Sequence, residues 1–181
     1  IMFHLKKSGK AAQVGLSNFH LENLKLLGDD LSVFSVNQVP YSLLKRRYEG
    51  ATREYCQKAG IPYMAFSPLA VGLLAGPPGP EALNYPARRH NALFQEPMFT
   101  EALKVLEEVQ QVARDIDRKP VEVALAWVLA QDNILSAVVG SRKTKQVREF
   151  AGAGDLTLTE SQRQRLTQAS DAFHKNCALV V

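Results

Sequence analysis

The chain has 181 residues, 46% hydrophobic and 22% charged, with a formal net charge of +4. That length suffices for one domain with a substantial core, and the composition is ordinary for a globular protein. The mild positive balance does not argue for a nucleic-acid partner, which needs basic residues gathered on one face. Cys56 and Cys177 are too few for a disulfide framework and point to a reducing compartment. The nearest apolar window, 121–139, is broken by Glu122, Gln131, Asp132 and Asn133, whereas a membrane span needs roughly 20 apolar residues. The expectation is therefore no nucleic-acid and no membrane partner. No signal-peptide pattern is visible, and with Ile1 as first residue the sequence is silent on a leader.

Short apolar runs with polar or Gly/Pro boundaries alternate with helical patterns. "AQVGL" (12–16) reads as the first strand. "HLENLKLLG" (20–28) sets Leu21, Leu24 and Leu27 at helical spacing and stops on Gly28. "VFSVN" (33–37) is the second strand. The basic run "SLLKRRYEG" (42–50) reads as a solvated helix start, because no aromatic-interleaved stripe accompanies it. "EGATREYCQKAG" (49–60) is a helix ending at Gly60, and "IPYMAF" (61–66) a third strand with Pro62 at its start. Residues 67–97 hold six prolines and read as one long loop, functional or mobile. "FTEALKVLEEVQQVARDI" (99–116) puts Phe99, Leu103, Leu106, Val109 and Ala113 on one helical face. Pro120 opens the next helix, and "ILSAVV" (134–139) is the fourth strand, again followed by a helical pattern. The last helix starts at Thr159 with Gln162 completing a capping box, over a thin apolar face of Leu166, Ala169 and Phe173. Weak alternation in the strands predicts a sheet covered on both faces.

Strands alternating with helices predict parallel βαβ units. In such folds ligands bind outside the carboxyl ends of the strands. Each strand runs into a polar cluster: Ser17-Asn18, Asn37-Gln38, Ser67-Pro68 and Gly140-Ser141-Arg142. Any one alone is an ordinary turn. Four on one rim make a site. Arg142 and Lys143 precede a helix, whose free N–H groups and positive end favour an anion, and Arg adds a bidentate fork for phosphate. No GxGxxG, GxxxxGK[ST] or GxSxG motif is present, and His4, His20, His90 and His174 are scattered without metal-ligand spacing.

Four stretches together, "VGLSNF" (14–19), "NQVPYSLLKRR" (37–47), "AFSPLAVGLLAG" (65–76) and "VVGSRKTKQVREFAGA" (138–153), resemble successive motifs of the aldo/keto reductases. The resemblance covers essentially the whole chain in the right order. It implies an α/β fold, part of a (β/α)8 barrel with about four parallel strands, that uses NADPH to reduce an aldehyde or ketone. It implies that Ser17, Asn18 and Gln38 hold the nicotinamide carboxamide and that Phe66 stacks on the ring. Ser67, Leu69, Gly72 and Leu74 would line the pyrophosphate, and Gly140, Ser141, Arg142 and Lys143 the adenosine 2′-phosphate. Gln146 and Glu149 fall where the family contacts phosphate or adenine. Phe150 departs from the pattern, which usually has an Asn there, so packing or stacking would replace that contact.

The family's Asp, Tyr, Lys and His catalytic group lies on earlier strands, and none is present in its motif. Tyr41 and Lys45 belong to a different motif. A complete barrel takes about 250 residues, so the 181 residues read as one domain, the C-terminal half of a barrel whose N-terminal half is missing. The expected activity of the intact enzyme is 4-pro-R hydride transfer to a small-molecule carbonyl with Tyr protonation, and this chain alone is expected to be inactive. The alternative is a non-catalytic NADPH-binding regulatory subunit, similar to the channel-associated members of the superfamily; a third reading is a degraded relative that binds nothing. Open strand edges suggest a complementary half-barrel or self-association. The expected location is the cytoplasm, with a plastid as the other reading of the "EFAGA" ending.

Overall fold

The computed structural model describes residues 1–178. In chain order the elements are α1 (Met2–Lys7), β1 (Leu16–Ser17), α2 (Leu21–Leu27), β2 (Asn37–Pro40), α3 (Ala51–Lys58), β3 (Tyr63–Phe66), two short helices α4 (Pro80–Leu83) and α5 (Pro86–Arg89), α6 (Met98–Asp115), α7 (Pro120–Leu129), β4 (Ile134–Val138), α8 (Thr144–Ala151) and α9 (Glu160–Ala178). The four strands form one parallel sheet in the order β1-β2-β3-β4. Sequential parallel strands with helical crossovers are the repeating unit of a (β/α)8 barrel.

Helix ends follow the local chemistry. Gly28 closes α2 at φ 51°, a backbone region open to glycine. The chain then turns through a 3₁₀ segment, Gly28–Val33, before β2. Thr159 and Gln162 cap α9 reciprocally: Gln162 N–H donates to Thr159 Oγ1 at 3.3 Å and Thr159 N–H to Gln162 Oε1 at 2.8 Å. The buried stripe of α6 (Ala102, Val105, Leu106, Val109, Val112, Ala113) is wider than the sequence stripe, because α6 packs against both α7 and α9. Trp127 of α7 is fully buried, stacked on Tyr41 with ring centroids 5.9 Å apart, and donates Nε1–H to Thr167 Oγ1 at 3.0 Å.

The first two strands sit further along the chain than their apolar runs. Residues 12–15 and 33–36 still approach each other, with Ser35 N–H donating to Val14 O and Leu16 N–H to Val36 O. A Cβ on Gly15 would come within 2.7 Å of the Val36 side chain, so this crossing needs the glycine. The regular ladder begins only at Leu16 and Asn37. Asn37 and Gln38 therefore lie within β2 and not past its end.

The expectation of a sheet covered on both faces is corrected. Burial alternates along β3, and the pattern continues across β2. Val39, Tyr63 and Ala65 face the helices and join the core. Gln38, Met64 and Phe66 occupy the other face and are only half-buried. That second face is the one a closed barrel turns inward, against its remaining strands. Both outer strands, β1 and β4, have one pairing partner among the described residues.

Two further expectations change. Residues 42–50 are not a helix start. Ser42 and Lys45 form an antiparallel bridge, Leu43, Leu44 and Tyr48 are buried, and helix begins at Ala51. The residues that look solvated in the sequence anchor the turn instead. The span 67–97 is also not structureless: α4, α5 and two 3₁₀ turns, Leu73–Ala75 and Ala92–Phe94, fold it back over the sheet end.

Candidate functional site: the carboxyl rim of the sheet

A parallel sheet brings all four strand ends to one rim. Ser17 ends β1, and Asn18 follows with φ 61°, its Nδ2 donating to Ser17 Oγ at 3.2 Å and its N–H to Gln38 O at 2.9 Å. Asn readily occupies this left-handed region. Gln38 donates through Nε2 to Met64 Sδ at 3.3 Å, so both lie on the open sheet face. Phe66 ends β3 on the same face. Asn37 points the other way, fully buried, clamping the chain after β1 by donating to Phe19 O at 2.9 Å. Of that strand-end pair, only Gln38 faces the site.

After β3 the backbone enters the left-handed region at Ser67 and then at Ala70, Val71 and Gly72 in succession (φ 53°, 49°, 59° and 84°). For β-branched Val71 this is a strained conformation, costing on the order of 1–3 kcal/mol. Arg88 of α5 holds it, donating from Nε and Nη2 to Val71 O at 3.1 and 2.9 Å. A Cβ on Gly72 would stand 2.9 Å from Arg88 Nη2. The coil thus lies directly beneath a guanidinium.

Between this coil and the end of β4 runs a cleft of about 670 Å³. Ser67, Leu69, Gly72, Gly140, Ser141, Arg142, Gln146 and Glu149 all line it. These are eight of the residues marked in the sequence. Asn18 and Phe66 line a second basin instead. Leu74 is fully buried in the core. Lys143 is exposed at the N-terminus of α8 and Ser17 at the end of β1.

The β4 corner is a cluster of donors around one oxygen. Gln146 Oε1 accepts from Arg142 N–H at 2.9 Å and Lys143 N–H at 3.1 Å, and the nearby Ser141 hydroxyl donates to Lys143 O at 2.9 Å. Arg142 stacks its guanidinium on the Tyr85 ring, 5.1 Å from the centroid. The Arg88 guanidinium is held below its ordinary value first by burial and then by the charge of Arg142. Lys119 also lines the cleft, paired to Glu149 Oε1 at 3.0 Å. Two arginines crowded in one cleft, beside backbone donors gathered on a single acceptor, form a site complementary to a multiply charged anion.

Sequence reasoning missed Arg88, Tyr85 and Lys119. The first two sit in a Pro-rich span without periodicity, and Lys119 reads only as the residue before a helix. Phe150 lines the cleft and packs against the core. No cluster of three or more His, Cys, Asp or Glu side chains among the described residues could hold a metal, and no described helix is long and apolar enough to cross a membrane.

The family pattern described as "Aldo/keto reductase family" matches residues 1–171. The chain belongs to the aldo/keto reductase family. An NADH-specific methylglyoxal reductase of Escherichia coli is 26% identical over 177 residues, 97% of this chain and 53% of the relative. A Schizosaccharomyces pombe aldo-keto reductase, yakc, whose name specifies NADP(+), is 26% identical over 180 residues, 94% of this chain and 52% of its own. The solved glycerol dehydrogenase AKR11B4 of Gluconobacter oxydans superposes with a TM-score of 0.81 at 25% identity, covering 92% of this chain and 51% of that one. The chain spans about half the length of the curated relatives it matches, and the match is to their C-terminal half. The aldo/keto reductase fold here is thus four strands and flanking helices of a (β/α)8 barrel.

Proposed function

We propose that these residues form the NADPH-binding half of an aldo/keto reductase whose complete barrel reduces an aldehyde or ketone. The observation that carries the reading is the convergence of the Arg142 and Lys143 N–H groups on Gln146 Oε1, with the Arg88 and Arg142 guanidiniums alongside. An amide oxygen occupies a position whose donors suit a phosphate oxygen. In this reading Gly140, Ser141, Arg142 and Lys143 hold the 2′-phosphate and Gln146 keeps the corner in shape. Ser67, Leu69, Gly72 and the backbone near Leu74 border the pyrophosphate, under Arg88. Ser17, Asn18 and Gln38 offer donors and acceptors that fix which face of the nicotinamide is turned to the substrate, and Phe66 supplies an apolar surface for the ring. NADPH bound here supplies a hydride for a carbonyl carbon. The relatives divide between NADH and NADP(+) in their names, so the preference rests on this chain's own cations.

Tyr41 does not supply the proton for the carbonyl oxygen. Tyr41 is fully buried and hydrogen-bonded to Glu49, and burial followed by that contact raises its hydroxyl far above the neutral range. It cannot act as the general acid, which must reach the substrate and titrate near the working pH. We therefore propose that the described residues bind cofactor without turning it over, the acid belonging to a complementary half-barrel. Arg142→Ala tests the assignment. Removing a charged donor to phosphate should weaken NADPH about tenfold or more and leave NADH nearly unchanged, as read by nucleotide fluorescence titration. Equal losses for both nucleotides overturn the 2′-phosphate assignment, and normal carbonyl reduction by the purified chain overturns the division of labour.

A further inference from the structure

The basic run at residues 42–50 has no part in the cofactor cleft, yet it walls the second cavity of the rim. This open basin, about 1240 Å³, is lined by Asn18 and by Phe66, the residue before Ser67 of the cleft. Its apolar lining is Pro40, Leu44, Phe66 and Met98. Its charge comes from the turn after β2. Arg46 is consumed internally: it bonds Glu49 through Nε at 3.0 Å and Nη2 at 2.9 Å, and also pairs with Asp171. The two carboxylates lining the basin, Glu49 and Asp171, both pair with Arg46, and Arg53 stands 3.9 Å from Glu49, so two cations balance the two carboxylates. Lys45 and Arg47 also line it, and neither has a carboxylate partner among the described residues. Arg47 is steadied by Tyr48, its guanidinium 5.0 Å from the ring centroid and Nη2 donating to the hydroxyl at 3.3 Å. His174, on the far wall, has an Nε2 without a hydrogen-bond partner and is kept towards its neutral form by burial and by Arg46.

The turn that presents these two cations is rigid. Ser42 and Lys45 exchange backbone hydrogen bonds at 3.1 and 3.0 Å, Leu44 N–H donates to Ser42 Oγ at 3.2 Å, and Ser170 of α9 donates to Leu43 O at 2.6 Å. Leu43 and Tyr48 are fully buried away from the basin, while Leu44, Lys45 and Arg47 line it. A cavity with an apolar lining and two uncompensated, pre-positioned cations selects an anionic guest.

We infer that the basin binds the anionic end of the substrate, a carbonyl compound carrying a carboxylate, with its charge at Lys45 and Arg47 and its carbonyl toward Phe66 and Asn18. This deepens the reductase reading and rests on it for the position of the carbonyl. The cations act on affinity and not on chemistry, since neither belongs to the cofactor cleft. Binding should weaken with added salt, as expected for partly exposed charges.

The test compares 4-carboxybenzaldehyde with its neutral ester, methyl 4-formylbenzoate, by saturation-transfer NMR titration of the 181-residue chain, with and without NADP(+). The acid should bind saturably and roughly tenfold more tightly than the ester. Lys45→Gln and Arg47→Gln together should reduce acid binding to the level of the ester, leaving ester and NADP(+) binding and the melting curve unchanged. Phe66→Ala should weaken acid and ester alike. Equal binding of acid and ester, an undiminished preference in the double variant, or no saturable binding of the acid overturns the inference. NADP(+) binding with no preference for the acid counts against the anionic basin alone. A preference for the acid without NADP(+) binding counts against the reductase reading alone.

Discussion

Gln146→Glu separates the shape of the β4 corner from its charge. The side chain sits with Oε1 2.9 Å from Arg142 N and 3.1 Å from Lys143 N, capping the start of α8 from its third residue. Glutamate is the same size, accepts the same bonds and is favoured at a helix N-terminus. The melting temperature should therefore hold or rise slightly. Cofactor binding should respond differently, because a carboxylate would share its donors with the 2′-phosphate. Two unit charges 4 Å apart repel by about 1 kcal/mol in water and about 4 kcal/mol at an effective dielectric near 20. The corner is exposed and screened, so about 1–2 kcal/mol is expected, a five- to thirtyfold loss of NADPH affinity. NADH lacks that phosphate and should bind as before. Parallel titrations with both nucleotides, followed by circular-dichroism melting, read the effect. Unchanged NADPH affinity, or equal loss for both nucleotides in a folded variant, would refute the reasoning.

Two other predictions concern stability and assembly. His174 is held below its ordinary value of 6.5 by burial first and the charge of Arg46 second. The folded state then binds fewer protons than the unfolded chain as pH falls through that value, so stability is full above about pH 6.5 and declines below it. His174→Gln should show a smaller drop in melting temperature between pH 7.5 and pH 5.5 than the parent chain; an identical drop would remove His174 as the cause. Leu135 lies 61% exposed on the edge strand β4, at the point where the β3–β4 register shifts. An exposed apolar edge invites pairing with another chain. Leu135→Lys should reduce concentration-dependent association in sedimentation velocity, and unchanged association would locate the contact elsewhere.

Much of this architecture was legible in the sequence because its signals are local. Gly28 after three spaced leucines, Pro120 ahead of an apolar helix and Thr159 with Gln162 each act within one turn, and each marks the same boundary in the structure. Apolar runs located β3 and β4 well. They located β1 and β2 early, because residues 12–15 and 33–36 already approach each other before the ladder becomes regular. The error at residues 42–50 has the same root. Charge density suggested a solvated helix, but Arg46 is fixed by Glu49 from its own turn and by Asp171 at sequence distance 125. No local pattern encodes a partner so remote. Asn37 and Gln38 are neighbours in sequence and opposite in role, since a strand turns successive side chains to opposite faces. Arg88 was invisible because its task is to hold Val71 O, a backbone conformation that only the folded coil has.

The most direct test of the account is isothermal titration of the 181-residue chain with NADPH and then NADH. One saturable site is expected, with NADPH bound roughly tenfold more tightly than NADH, the margin expected of charged hydrogen bonds to one phosphate. Absence of saturable NADPH binding, or equal affinity for the two nucleotides, would contradict it.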